Sequence, residues 1–340
     1  MEETMGALSK KMLLGSAMAV ALVAGSAGAL MAQNKPVIAT VVKISGIPWF
    51  DRMETGVKLF QKENPDVVAT QYGPATADAA QQLQIVTDLV AKGVNGLAVV
   101  PMDPSVLEGT LKRAMDRGII VVTHEADNQK NTHADVEAFD NADYGKALNE
   151  RLAQCMGGKG KWTTFVGSLG SRTHMQWVGA GEANAKNHPD MVLVDANNES
   201  FDDANATYEK AKEILRKHPD IKGFQTSAGN DVLGVGRAID EAGLSGKVCL
   251  VGTGLPNPSA DLLESGAITA IGFWDPQKAG MAMNSVAKSL IAGKKIEDGA
   301  NLGVPGYEKV KVTKGPGEGV LIIGNGMVLA DKNNYKEYLF

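Results

Sequence analysis

The chain is poor in cysteine and has no long run of like charge, and each lack narrows what it can do. Neither of its two cysteines has a partner at metal-ligand spacing and its five histidines are scattered, which argues against a zinc enzyme. A formal charge of −5, spread along the sequence, leaves no electrostatic footprint for DNA, RNA or an anionic membrane surface. No G-x-G-x-x-G follows the first apolar strand, where a dinucleotide site needs glycines for close approach to pyrophosphate. "GSLGSR" offers only G-x-x-G, and "GVGRAI" falls inside a helical pattern. Walker-type "GKS" or "GKT" is missing after the strands, as is a G-x-S-x-G elbow. No general base stands beside an activated nucleophile, so the chain is expected to be no enzyme and to need no cofactor.

What is present begins with Lys10 and Lys11, followed by "MLLGSAMAVALVAGSAGALMA" and then the polar "QNK". Residues 1–32 therefore read as a signal peptide, with small residues Ala27, Ala29 and Ala32 at candidate cleavage points. The alternative is a membrane anchor, but the Ala, Gly and Ser content makes the stretch only weakly hydrophobic. A cleaved leader implies a bacterial periplasm. Such a compartment permits a bridge between Cys155 and Cys249, although two separate small core residues is the reading preferred here.

From residue 37, short runs of Val, Ile, Ala and Thr alternate with longer amphipathic segments, the pattern of a parallel sheet covered by helices. Strands are expected near 37–43, 66–71, 95–100, 118–123 and 135–139, then near 161–167, 191–195, 221–227, 247–252 and 268–273. Helices are expected at 49–63, 76–92, 104–116 and 142–156, then near 175–187, 203–217, 230–243, 257–265 and 276–292. Within 76–92, Ala79, Leu83, Val86, Leu89 and Val90 recur at spacings of three and four, which puts Asp78, Gln82 and Lys92 outward. Asp103 before Pro104 predicts a capped helix start. The rhythm repeats in each half, so the fold class is α/β with two doubly wound parallel-sheet lobes. The Gly-rich C-terminal stretch from Thr313 lacks it and is expected to cross between the lobes and pad one of them.

Ligands in such lobes bind beyond the carboxyl ends of strands. The residues collected there are Lys43, Trp49 and Phe50 in "KISGIPWF", Glu125 in "VVTHEAD", Thr173 and His174 in "GSLGSRTHMQW", Asn230 in "SAGND", and Trp274 and Asp275 in "GFWD". Aromatic faces stack on the C–H face of a sugar, while Asp, Glu, Asn and Lys grip hydroxyls, so this mixture suits a polyhydroxylated ligand. Each has a plainer alternative: Lys43 in solvent, Glu125 capping a turn, His174 on an exposed loop. Phe50 fits the buried face continued by Met53 and Val57; Trp49 is assigned to the cleft.

The order of a leader, "KISGIPWF", "VVPMDPS", "VVTHEAD", "TSAGNDVLGVGRAIDEAG" and "VGTGLPNPS" resembles the periplasmic sugar-binding proteins of ABC importers, in the ribose-binding group, over essentially the whole mature chain. Within that group it is most similar to the autoinducer-2-binding and rhamnose-binding branch. The shared residues are Lys43, Gln176 with Trp177, Pro256 with Asn257, Trp274 with Asp275, and the Gly-rich end. The resemblance implies a type I periplasmic binding protein with an interlobe cleft. Its crossings fall near Phe139 to Asn141, near Trp274 to Pro276, and within 313–325. It also implies an N-terminal lobe of 35–139 plus 275–313 and a C-terminal lobe of 140–274 plus 314–340.

The expected partners are a small sugar or polyol and the membrane permease of an ABC importer, with the chain a monomer. Ile47 stands where ribose binders carry Asn, and Gly254 where they carry Asp, so a simple ribose site is not expected. Autoinducer-2 binders have an acid and a Gln at the positions of Thr173 and His174, Asp at Glu125, and Pro and Ala at about Ser227 and Gly229. A sugar or polyol is therefore preferred, with autoinducer-2 uptake, or ligand sensing for a chemoreceptor or sensor kinase, as alternatives.

Overall fold

The alternating β-branched runs and amphipathic segments build two predominantly parallel sheets in a computed structural model, which describes residues 35–338 and 340. Residues 1–34, on which the expected signal peptide falls, lie outside the described residues. In chain order the elements are β1 (Val37–Val41), α1 (Pro48–Glu63), β2 (Val68–Tyr72), α2 (Ala79–Lys92), β3 (Gly96–Val99), α3 (Pro104–Asp116), β4 (Ile120–Thr123) and β5 (Ala134–Glu137). Next come α4 (Asn141–Met156), β6 (Lys159–Val166), α5 (Arg172–Ala185), β7 (Asp190–Leu193), β8 (Asn198–Glu199), α6 (Ala204–Lys217), β9 (Ile221–Thr226) and α7 (Asp231–Glu241). The remainder is β10 (Cys249–Thr253), α8 (Pro256–Ser265), β11 (Ala270–Phe273), α9 (Pro276–Ile291), β12 (Lys311–Lys314), β13 (Val320–Ile323) and β14 (Val328–Ala330).

The first sheet has the order β12-β13-β5-β4-β3-β1-β2; the second runs β14-β11-β10-β9-β6-β7, with β8 also on β6. Adjacent residues of the first sheet's strands face opposite layers. Ile38, Ala98 and Val122 pack with Met53, Val57, Met283 and Val286 of α1 and α9, while Ala39, Leu97 and Val121 pack with Val86, Leu89, Leu107 and Leu111 of α2 and α3. Both faces are therefore covered, which is why these strands read as continuous apolar runs.

Helix starts follow from carboxylates folded back onto first-turn amides, as at Asp78, Asp103, Asp140, Asp203 and Asp275. Each such cap contributes about 1 kcal/mol.

Three expectations are corrected. Gln82 is fully buried rather than outward: its amide donates to the Val42 and Val100 carbonyls at 3.1 and 2.8 Å and its oxygen accepts from the Met102 N–H at 2.8 Å. A polar side chain can occupy an apolar stripe when it satisfies the frayed ends of two strands. Cys155 and Cys249 are bridged, with Cα atoms 6.0 Å apart, because α4 packs across β10. A separation of 94 residues gives no sequence signal of that approach.

The third concerns the C-terminal stretch. β13 pairs in parallel with β5 and antiparallel with β12, so residues 314–323 stand on the first sheet, whereas the sequence assigns them to the second lobe. β14 lies antiparallel on β11, and the chain passes from the first sheet to the second within 324–327. No helix separates these strands, so no change of period marks where the chain switches sheets.

Candidate functional site

Each sheet points the carboxyl ends of its central strands at the other, and the side chains just beyond those ends meet. Lys43 follows β1 and Glu125 follows β4; Lys43 Nζ lies 2.6 Å from Glu125 Oε2. Both residues are at least 95 % buried, at 2 and 4 % exposure. Glu125 has φ +59°, a left-handed conformation disfavoured for a residue with a side chain, and such conformations gather at functional sites. The second lobe clasps the pair: Lys43 donates to Ser171 Oγ at 3.4 Å and Thr173 Oγ1 donates to Glu125 Oε2 at 3.2 Å. Burial alone would raise the Glu125 pKa, but the Lys43 charge and its hydrogen bond outweigh burial and hold it at about 2.

Aromatic rings form the floor. Trp49, at the start of α1, meets Trp274 edge-on with centroids 4.6 Å apart, and Trp274 in turn touches Phe139, Tyr144 and Trp177. Trp274 sits on the crossing between β11 and α9, so the hinge and the cleft share one aromatic cluster. Trp49 reaches to the second lobe, where a Cβ added at Gly229 would lie 3.1 Å from its ring. Glycine there lets the lobes approach.

The opposite wall comes from α5 and from the turn after β8. The Gly167 N–H donates to His174 Nδ1 at 3.1 Å, which places the proton of the neutral ring on Nε2. Burial, reinforced by the Lys43 charge, lowers the His174 pKa to about 3. Beside it Asp202, also with positive φ (+55°), is 5 % exposed, and burial raises its pKa to about 6. The space enclosed by these walls is about 20 Å³, enough for roughly one water. A sugar-sized molecule therefore requires the lobes to part. A second tie between the lobes lies outside this space: Asp127 accepts from Arg172 Nε at 2.7 Å and from Gln176 Nε2 at 2.6 Å.

Of the residues expected at the site, Lys43, Trp49, Phe50, Glu125, His174 and Trp274 line this cavity. Three do not. Thr173 stands behind Glu125 as a hydrogen-bond donor. Asn230 turns to the Asp202 carbonyl, 2.9 Å away, and precedes α7. Asp275 caps α9, pairs with Arg52 through both carboxylate oxygens at 2.9 and 2.8 Å, and borders a separate recess at the hinge. Asp202 and Thr253 line the cavity without having been singled out. The doubled acid in "SFDDAN" is the available signal, because a helix start needs only one carboxylate as its cap and Asp203 supplies it.

A family model described as a periplasmic binding protein domain matches residues 38–295. Among curated relatives, the D-ribose/D-allose-binding protein of Pseudomonas aeruginosa is 29 % identical over 298 residues, covering 84 % of this chain and 88 % of its own length. The D-allose-binding periplasmic protein of Escherichia coli is 29 % identical over 252 residues, covering 71 and 80 %. Two solved structures superpose with a TM-score of 0.81: an ABC transporter solute-binding protein from Clostridium phytofermentas with bound L-rhamnose, and LsrB from Clostridium saccharobutylicum in complex with AI-2. They are 21 and 20 % identical, cover 89 % of this chain and 98 and 100 % of their own, and show the type I two-lobe fold. The proteins it resembles are binding proteins, not enzymes, and with the family model covering most of its length the chain belongs to the periplasmic binding protein family.

Proposed function

We propose that the chain captures a sugar or polyol between its lobes, outside the cytoplasmic membrane, and delivers it as a monomer to the permease of an ABC importer. The observation that carries this reading is the Lys43–Glu125 pair set against Trp49 and Trp274 inside a cavity walled by both sheets. Ligand enters when the lobes part; hydroxyls take hydrogen bonds from Lys43 and give them to Glu125, and a C–H face lies on Trp49. Contacts from both walls then favour the closed arrangement, which is the shape a permease can read. The names of the relatives, which speak of ribose and allose, support the ligand class. Lys43 with an adjacent acid also supports autoinducer-2, and the neighbour bound to AI-2 adds to that second reading. Thr173 and His174, in place of an acid and an amide, favour the sugar.

A thermal-shift screen with D-ribose, D-allose, L-rhamnose and autoinducer-2 tests it. A ligand at a hundred times its Kd stabilises by about 2.7 kcal/mol, readily seen as a rise in Tm. A rise with a sugar is expected. If all four are silent while an amino acid or nucleotide raises Tm, the reading is wrong.

A further inference from the structure

Across the cavity from the Lys43–Glu125 pair lies a carboxylate that the protein does not satisfy. Asp202 Oδ2 is sealed from water and has no hydrogen-bond partner among the described residues. Its backbone, by contrast, is fastened on both sides: the Asp202 N–H donates to Ser200 Oγ at 3.3 Å and its carbonyl accepts from Asn230 Nδ2 at 2.9 Å. Phe201 and Asp202 both adopt left-handed φ, +54° and +55°, so two strained residues in succession turn this side chain inward. Gly167 leaves it room, since a Cβ there would come within 2.7 Å of Oδ2.

Ordinary structural duties are taken by its neighbours. Asp203 caps α6 by accepting from the Asn205 and Ala206 amides. Asp231, equally buried, accepts from the Ala228 N–H at 3.0 Å and from Thr207 Oγ1 at 3.3 Å. A buried carboxylate without a partner is costly, so a strained backbone that presents one to a cavity points to an acceptor awaiting a donor.

The charges around that cavity add the sign. Glu125 and Asp202 face it with Lys43 as the one cation among its described lining residues, and His174 is neutral. Lys43 is already committed to Glu125. An acidic sugar would bring a third anion into a space with no guanidinium or second ammonium to meet it, whereas hydroxyl or ammonium hydrogens satisfy Asp202 directly.

Resting on the sugar-capture reading, we propose that Asp202 is a ligand-gripping acceptor that fixes the substrate class. The site takes uncharged or amino sugars through Asp202 and Glu125, and it rejects sugars carrying a carboxylate or phosphate.

Titration calorimetry tests this on wild type, Asp202→Asn and Asp202→Ala, using D-ribose, D-allose, L-rhamnose and D-galactose, with D-galacturonate and D-ribose 5-phosphate as acidic probes. Wild type should bind at least one neutral sugar a hundredfold more tightly than either acidic probe. Both variants should lose tenfold or more in affinity for that sugar, and Asp202→Asn should narrow the gap to the acidic probes. Their Tm without sugar should equal or exceed that of wild type, since no protein contact of the carboxylate is lost. Neutral-sugar affinity unchanged in both variants, or an acidic probe bound by wild type within tenfold of the best neutral sugar, overturns the assignment alone. If no sugar binds wild type, the capture reading falls and this assignment with it.

Discussion

The two walls of the cleft are built on opposite principles. The first-lobe wall is satisfied internally: Lys43 and Glu125 lie 2.6 Å apart, and Glu125 is held at about 2 despite burial. The second-lobe wall keeps one carboxylate oxygen, Asp202 Oδ2, without a partner among the described residues: burial raises the Asp202 pKa to about 6, and it holds the neighbouring His174 neutral with a pKa of about 3. Under the proposed function, a ligand would share the first wall with an existing ion pair and meet an empty acceptor on the second. Affinity is thus expected to depend on completing the second wall, and the stability of the closed form on keeping the first intact.

The largest effect comes from breaking the first wall. Lys43→Ala leaves Glu125 buried without its cation, a change expected to cost about 3–5 kcal/mol in urea unfolding. Pairing Lys43→Met with Glu125→Gln should recover most of that. If Lys43→Ala unfolds like wild type, the pair is not the structural unit described.

Next is pH, which separates the walls by sign. Asp202 has a folded pKa above its unfolded value of 3.8, so its contribution is lost as pH rises from about 4 through about 6, amounting to roughly 3 kcal/mol when fully ionised. Asp231, raised to about 7, and Asp135, raised to about 6, act in the same direction, each chiefly through burial. Glu125 runs the other way, with stability present above its unfolded value of 4.5 and lost as pH falls toward 2. Tm without ligand should therefore peak near pH 4 and decline toward pH 8, and Asp202→Asn should flatten that decline. A Tm that climbs steadily from pH 5 to 8 would contradict the account of the second wall.

Smaller effects concern how closely the walls meet. Gly229→Ala puts a methyl 3.1 Å from Trp49, which Trp274 holds in place, so sugar affinity should fall roughly tenfold, about 1.4 kcal/mol, with little change in Tm. Arg172→Ala removes the partly exposed tie to Asp127 and should change affinity by less than about 1 kcal/mol, with the difference vanishing at high salt.

The same contrast explains what was legible in the sequence. The helix over Pro104–Asp116 announces itself through Asp103 and Pro104, and the paired lobes through the alternation of short apolar runs with amphipathic segments of period 3.6. Lys43 and Glu125 are visible because a charge at a strand mouth is unusual. Their contact is not, because 82 residues separate them. Asp202 escapes because β8 is two residues long and "FDD" looks like a helix cap. The hairpin of β12 and β13 escapes because "KVTKGPGEGVLII" carries no amphipathic helix to set a rhythm.

Three of the four tryptophans, Trp49, Trp177 and Trp274, line the cavity, so tryptophan fluorescence reads ligand capture directly. On titration with D-ribose, D-allose and L-rhamnose, at least one sugar is predicted to give a saturable one-to-one change that is weakened tenfold or more by Asp202→Ala. A flat response to every sugar, alongside a saturable one to an amino acid or nucleotide, would contradict the central claim.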